Sequence, residues 1–223
     1  MRSGRVRSAP RAASLPPVGA SILGVDPGLQ RTGYAVLTAG RPQAGRLVEA
    51  GVVRLDARRA LEERLLELQV GLEQLLDAHR PDALACEQLY AHYQHPRTAI
   101  LMAHARGVIL ALAARRCLPV LHLAATHVKK MLTGNGHATK PQMQRAVAAT
   151  LGLPRLPEPH DVADAIAIGL CGLWILARQR PGWRGLAQSG RAPGRTLAKP
   201  RPAFRSACCR NGNPSRERSL DHP

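Results

Sequence analysis

A short apolar run, Ile22-Leu23-Gly24-Val25, ends on a carboxylate at Asp26 and turns at once through Pro27-Gly28. Its β-branched, apolar character predicts a strand buried on both faces, and the Pro-Gly pair supplies the chemistry that stops it. Asp26 therefore stands at a strand end. A second apolar segment, Tyr34-Ala35-Val36-Leu37, follows after a gap of hairpin length and predicts an antiparallel neighbour. A carboxylate on a central strand is costly to bury unless a cation or a dense set of donors meets it. The alternative is that Asp26 caps its own turn by accepting from backbone N–H groups. This stretch leaves the two readings open.

The elements that follow narrow the choice. Leu47 to Leu55 is strand-like and completes a three-stranded meander. From Asp56 to His79 the period changes. Leu61, Leu65, Leu68, Leu72, Leu75 and Leu76 recur at helical spacing, while Glu62, Glu63, Arg64, Glu67 and Glu73 mostly fill the other face. That pattern predicts an amphipathic helix covering the sheet. Pro81-Asp82 opens a further strand, Ala83 to Glu87, which ends on an acid as the first one does. Two buried strands thus deliver Asp26 and Glu87 to one end of a sheet.

After a polar link, a helix is predicted from Thr98 to Arg116, with Ala103, Gly107 and Ala111 four apart along it. Such a stripe of small residues lets another backbone approach closely, either the protein's own sheet or a second subunit. Pro119 to Leu123 reads as a fifth strand and Thr126 to Leu132 as a short helix bearing Lys129 and Lys130. The turn Thr133-Gly134-Asn135-Gly136 follows. A helix from Lys140 to Leu151, a Pro-punctuated link and a last helix from His160 to Ala177 complete the series.

The last helix carries two acids, Asp161 and Asp164, three residues apart and so on one face of its first turn. A helix N-terminus favours anions, and a cap would explain Asp161 alone. Asp164 is harder to dismiss, because Ala165, Ile166, Ala167, Ile168, Leu170 and Cys171 imply a largely buried helix. A carboxylate projecting from such a helix toward a sheet requires a metal or a strong donor.

Charge is distributed unevenly over the 223 residues. Residues 1–20 hold Arg2, Arg5, Arg7 and Arg11 and no acid, and read as a disordered basic arm. The stretch from Arg178 onward carries eleven basic residues against Glu217 and Asp221, without sustained periodicity, and reads as a disordered tail over 179–223. Subtracting +4 for the arm and +9 for the tail from the net +17 leaves +4 for residues 21–177. A folded domain over 21–178 with basic extensions is expected, and nucleic acid is its leading partner. Cys86, Cys117, Cys171, Cys208 and Cys209 form no C-x-x-C pair, which favours a reduced, cytoplasmic protein. The Arg-, Ser- and Ala-rich start also resembles an organellar transit peptide. No apolar run reads as a membrane span.

Several blocks recur in order: Val25-Asp26-Pro27-Gly28, Thr32-Gly33-Tyr34-Ala35-Val36, Ala85-Cys86-Glu87-Gln88-Leu89-Tyr90, Ala105-Arg106-Gly107-Val108, Val128-Lys129, Gly134-Asn135-Gly136-His137-Ala138-Thr139-Lys140 and Asp161-Val162-Ala163-Asp164. In identity, order and spacing they resemble the RuvC family of Holliday-junction resolvases, over roughly Ile22 to Arg178. The resemblance implies a ribonuclease H-like fold, a mixed five-stranded sheet flanked by helices. It further implies a homodimeric endodeoxyribonuclease that cuts opposed strands of a four-way DNA junction, leaving 5′-phosphate and 3′-hydroxyl ends. The metal-binding carboxylates it implies are Asp26, Glu87, Asp161 and Asp164, with Mg2+ as cofactor, two ions per site, and Mn2+ as a substitute. Hard oxygen ligands agree with that choice.

The resemblance also implies DNA contacts at Tyr90, Lys129 and Lys140, a dimer helix carrying Ala103, Gly107 and Ala111, and a branch-migration helicase complex as a further partner. Tyr90 stands where the family usually has Phe, and keeps the stacking face. His160 adjoins Asp161, and a one-residue slip would make His160 the fourth ligand. The histidines His92, His95, His104 and His137 share no ligand spacing and are assigned no metal. Two alternatives stand beside this reading: a related nuclease acting on RNA precursors, and a non-catalytic nucleic-acid-binding module.

Overall fold

The computed structural model describes residues 20–40, 45–89 and 96–178. The basic arm to residue 19, the tail from residue 179 and Tyr90 lie outside the described residues. Five strands and five helices follow one another as β1 Ser21–Asp26, β2 Arg31–Thr38, β3 Arg46–Arg54, α1 Leu61–His79, β4 Ala83–Gln88, α2 Pro96–Arg115, β5 Val120–Ala124, α3 Ala125–Thr133, α4 Lys140–Leu151 and α5 His160–Arg178. They build one mixed sheet of order β3-β2-β1-β4-β5. The first three strands form the expected antiparallel meander, and β4 joins β1 in parallel with Val25 opposite Cys86.

Alternation along the central strands sorts their side chains between two layers. Ile22 of β1 with Ala83 and Ala85 of β4 pack against α5, where Ile166, Ile168 and Leu170 are buried. Leu23, Val25, Leu84 and Cys86 face the other way, onto Leu68, Leu72 and Leu76 of α1 and Ile109 and Leu112 of α2. Continuing the alternation by one step puts Asp26 and Glu87 on the α5 face together.

Close approach of α5 requires glycine beneath it. A Cβ on Gly33 would lie 2.1 Å from the backbone oxygen of Asp161, and one on Gly24 would lie 2.5 Å from that of Ala165. Both distances are far inside van der Waals contact, so any larger residue must push the helix outward.

Two expectations change. Helix α1 starts at Leu61 rather than Asp56, because Asp56 is spent on a turn: its Oδ1 accepts from the Arg58 N–H at 2.9 Å and its carbonyl from the Arg59 N–H at 3.1 Å. Two segments do reach membrane-spanning length and apolarity, residues 97–115 and 160–177, with mean hydropathies of 1.3 and 1.5. The second is the core helix, 72% buried within the protein. The first is only 22% buried, and its stripe of Ala103, Gly107 and Ala111 is exposed, with nothing within 4 Å of a Cβ placed on Gly107. The stripe therefore does not serve packing on the protein's own sheet. Trp174 is partly buried at the core's edge.

Candidate active site

The turn after β1 is closed by Thr32. Its hydroxyl donates to the Gly28 carbonyl at 2.6 Å and accepts from the Gly28 N–H at 3.2 Å, while the side chain is fully buried. Asp26 is thus relieved of the capping role that its position allowed. Instead it meets acids. Burial pushes its carboxyl well above the usual carboxylate range, the charges of Glu87 and Asp164 and a hydrogen bond with Glu87 push it the same way, and Asp161 adds to them.

Glu87 and Asp164 share the predicament in milder form. Burial raises Glu87, opposed by the bond from Asp26, raised again by Asp164 and lowered by Lys129. Burial raises Asp164 as well, and Lys140, His160 and Lys129 oppose it while Asp161 reinforces it. Four carboxylates from β1, β4 and the first turn of α5 therefore act on one another, with two lysines bearing on Asp164 from α3 and α4.

Glu87, Lys129, Lys140 and Asp164 open onto one pocket of about 160 Å³, completed by Ala125, Val128, Met143 and Ile168. At roughly 30 Å³ per water, that volume admits a phosphodiester group with its attendant solvent. Lys140 reaches it because Thr139 caps α4, its backbone N–H donating to Gln142 Oε1 at 2.8 Å, so that the helix starts at the pocket rim.

The donor set fits a hard divalent cation: oxygen ligands only, negative charge in excess, and mutual repulsion that a cation would relieve. Among the described residues no three His, Cys, Asp or Glu side chains converge on a single point. The carboxylates face a shared space without closing on one centre.

The structure brings together Asp26, Glu87, Asp161, Asp164, Lys129 and Lys140. It separates Lys129, half-buried beside the acids, from its exposed neighbour Lys130. His160 is exposed, whereas the charge of Asp161 is felt at Asp26. His104 bonds the Ile100 carbonyl of its own helix. Ala103, Gly107 and Ala111 lie on the outer face of α2, away from the pocket. Sequence reasoning passed over Thr32, Met143 and Arg106. Thr32 and Arg106 lie inside blocks already singled out, and a hydroxyl or guanidinium among apolar neighbours in the sequence was the available signal.

The sequence profile of the family described as "Crossover junction endodeoxyribonuclease RuvC" matches residues 22–172. A crossover junction endodeoxyribonuclease RuvC from Rhodopirellula baltica is 53% identical over 154 residues, covering 69% of this chain and 86% of its own. Another, from Leifsonia xyli subsp. xyli, is 41% identical over 189 residues, covering 83% and 90%. Among solved structures the chain is similar to Thermus thermophilus RuvC in complex with a Holliday junction substrate. That match has a TM-score of 0.64 at 29% identity and covers 71% of this chain and 95% of that one.

Proposed function

The chain belongs to the RuvC family of crossover junction endodeoxyribonucleases, and we propose that it resolves Holliday junctions through the carboxylate cluster at the ends of β1, β4 and α5. One observation carries the reading: Glu87 and Asp164 open onto one pocket with Lys129 and Lys140, and the charges of Glu87, Asp164 and Asp161 all bear on the buried Asp26 beside them. Neither an RNA-precursor nuclease nor a non-catalytic module is favoured by this membership. Recombination and repair of DNA are the setting in which such an activity belongs.

In this reading Asp26, Glu87, Asp161 and Asp164 would hold two Mg2+ ions, for which Mn2+ would substitute. Bound there, the metal would supply activation of water toward phosphorus and stabilisation of the leaving 3′-oxygen. The chain's own residues do the rest. Lys129 and Lys140 draw the phosphodiester toward the acids and offset its charge. The apolar wall of Val128, Met143 and Ile168 limits the water around it. Tyr90 stacks on a base at the crossover, and the products carry 5′-phosphate and 3′-hydroxyl ends. Two incisions related by two-fold symmetry call for a homodimer, and the exposed stripe of α2 is the surface that suits it. The basic extensions add sequence-independent attraction to DNA. A branch-migration helicase complex is the further partner, and the cytoplasm the compartment.

The test is Asp26→Asn and Glu87→Gln on a synthetic four-way junction, with cleavage followed in Mg2+ and binding followed in Ca2+ or EDTA. Cleavage is expected to vanish while binding persists. Ordinary cleavage rates in either variant would remove the carboxylates from the mechanism.

A further inference from the structure

Arg106 sits in one of the sequence blocks that carry the family resemblance, yet the chemistry above gives it no part. It approaches the site from the far side of the sheet, on α2, and does not line the pocket. Its Nε donates to the backbone carbonyl of Glu87 at 3.0 Å, and a terminal guanidinium nitrogen stands 2.6 Å from His122 Nδ1 on β5. A guanidinium has donors only, so Nδ1 accepts, and the ring proton lies on Nε2. Burial and the Arg106 charge both push His122 below its ordinary value, which keeps the ring in that neutral form. The Cys86 thiol donates to the same Glu87 carbonyl at 3.6 Å, and the Arg106 charge partly opposes the burial that pushes that thiol up to about 12.

The place of these contacts matters. The β1–β4 ladder ends at Val25 opposite Cys86, one residue before Glu87. Glu87 thus lies one residue past the pairs that β1 makes, next to an acid that repels it, and is paired on its other side with Leu123 of β5. With β5 on one side only, the Arg106 bond to the Glu87 carbonyl is a second restraint on this residue's backbone.

We infer that Arg106 is a positioning residue, whose guanidinium braces the end of β4 between the Glu87 carbonyl and His122 and so fixes where the Glu87 carboxylate stands opposite Asp26 and Asp164. The inference rests on the reading of Glu87 as a metal-binding carboxylate. It also ties the site to α2, because Arg106 and the exposed Gly107 are neighbours on one helix.

Arg106→Gln in the full chain tests it. Partners that orient metal ligands typically cost about 10–100-fold in metal affinity or activity when removed. The expected result is a loss of that size in kcat on a synthetic junction, with KM and junction affinity in Ca2+ unchanged. The Mg2+ concentration for half-maximal rate should rise, and Mn2+ titrated without DNA, followed by electron paramagnetic resonance, should bind more weakly. Arg106→Lys, which can still donate to the Glu87 carbonyl, should recover part of both. Unchanged kcat and metal binding in Arg106→Gln would overturn the inference, as would a loss of junction affinity matching the loss of rate, which would make Arg106 a DNA contact. Should Arg106→Gln fail to fold, His122→Ala decides, since it frees one end of the brace at an exposed site: weaker metal binding supports the inference and normal behaviour overturns it. Glu87→Gln run in parallel separates the two ideas. If it cuts normally, the reading of Glu87 fails; if it is inactive while Arg106→Gln is normal, only the brace fails.

Discussion

Helices α2 and α5 are alike in length and in hydropathy, and they end in opposite circumstances. Helix α5 lies on glycines of β1 and β2, buried for 72% of its apolar window, while α2 keeps 22% of its own buried. In α5 the apolar residues run nearly all round, as expected of a helix enclosed by other elements. In α2 only one side, Ala105, Ile109, Leu112 and Ala113, meets the protein's own core. Hydrophobicity alone does not distinguish a helix that organises a domain from one that offers a surface. What distinguishes them is whether the sheet beneath can be approached.

The largest expected effect comes from removing volume on each helix in turn. Ile166→Ala in α5 should cost about 2–5 kcal/mol, the range for truncating a buried aliphatic side chain. Ile100→Ala in α2, at a side chain 58% exposed, should stay within about 0.5 kcal/mol. Denaturant unfolding of the two variants side by side checks the contrast, and equal losses would break it.

Adding volume sharpens the same comparison. Gly33→Ala places a Cβ against the Asp161 carbonyl, and overpacking of this kind costs roughly 1–3 kcal/mol. Cleavage should fall further than stability does, since the displaced helix carries Asp161 and Asp164. Gly107→Leu has open space before it and removes a helix-propensity penalty of about 1 kcal/mol, so the fold should hold or gain. Its effect belongs to association: light scattering should report the monomer, and a supercoiled cruciform should be nicked rather than linearised. A dimeric variant that cuts both strands normally would place the interface elsewhere.

The smallest effect lies away from both helices, where Glu49 of β3 accepts from Tyr34 Oη at 2.8 Å and lies 2.8 Å from His79 Nε2 at the end of α1. The Tyr34 bond first, and then the His79 bond, lower the Glu49 carboxyl below its ordinary 4.5. A depressed carboxyl contributes stability that is present above its unfolded value and lost as pH falls through the folded one. Melting temperature should therefore decline slightly below pH 4.5 in the parent protein and less in Glu49→Gln. Parallel profiles would remove Glu49 from the acid response.

Much of this was open to reading from the chain. Strand alternation and matching strand ends put Asp26 and Glu87 together, and a three-residue spacing put Asp161 and Asp164 on one face. All ten elements lie where periodicity placed them, with ends displaced by a few residues. Other features depend on what a segment meets. Asp56 looks like the start of a helix until its turn is seen. Lys129 and Lys130 are adjacent in sequence, and only the docking of α3 turns one toward the acids. The two uses of small residues, beneath α5 and along α2, look alike as spacing and differ in whether a backbone lies opposite. Arg106 was visible as part of a motif, but its partners come from two strands that its helix crosses.

The assignment of ligands to β1, β4 and α5 has a consequence for how the protein is made. Synthesis delivers the N-terminal strands first, and the carboxylates at 26 and 87 then wait for 161 and 164, which α5 must press onto Gly24 and Gly33 before they count. A half-translated chain, lacking that helix, holds only two of the four acids. In a member of a nuclease family, the order of translation itself keeps the acids apart until the last helix docks.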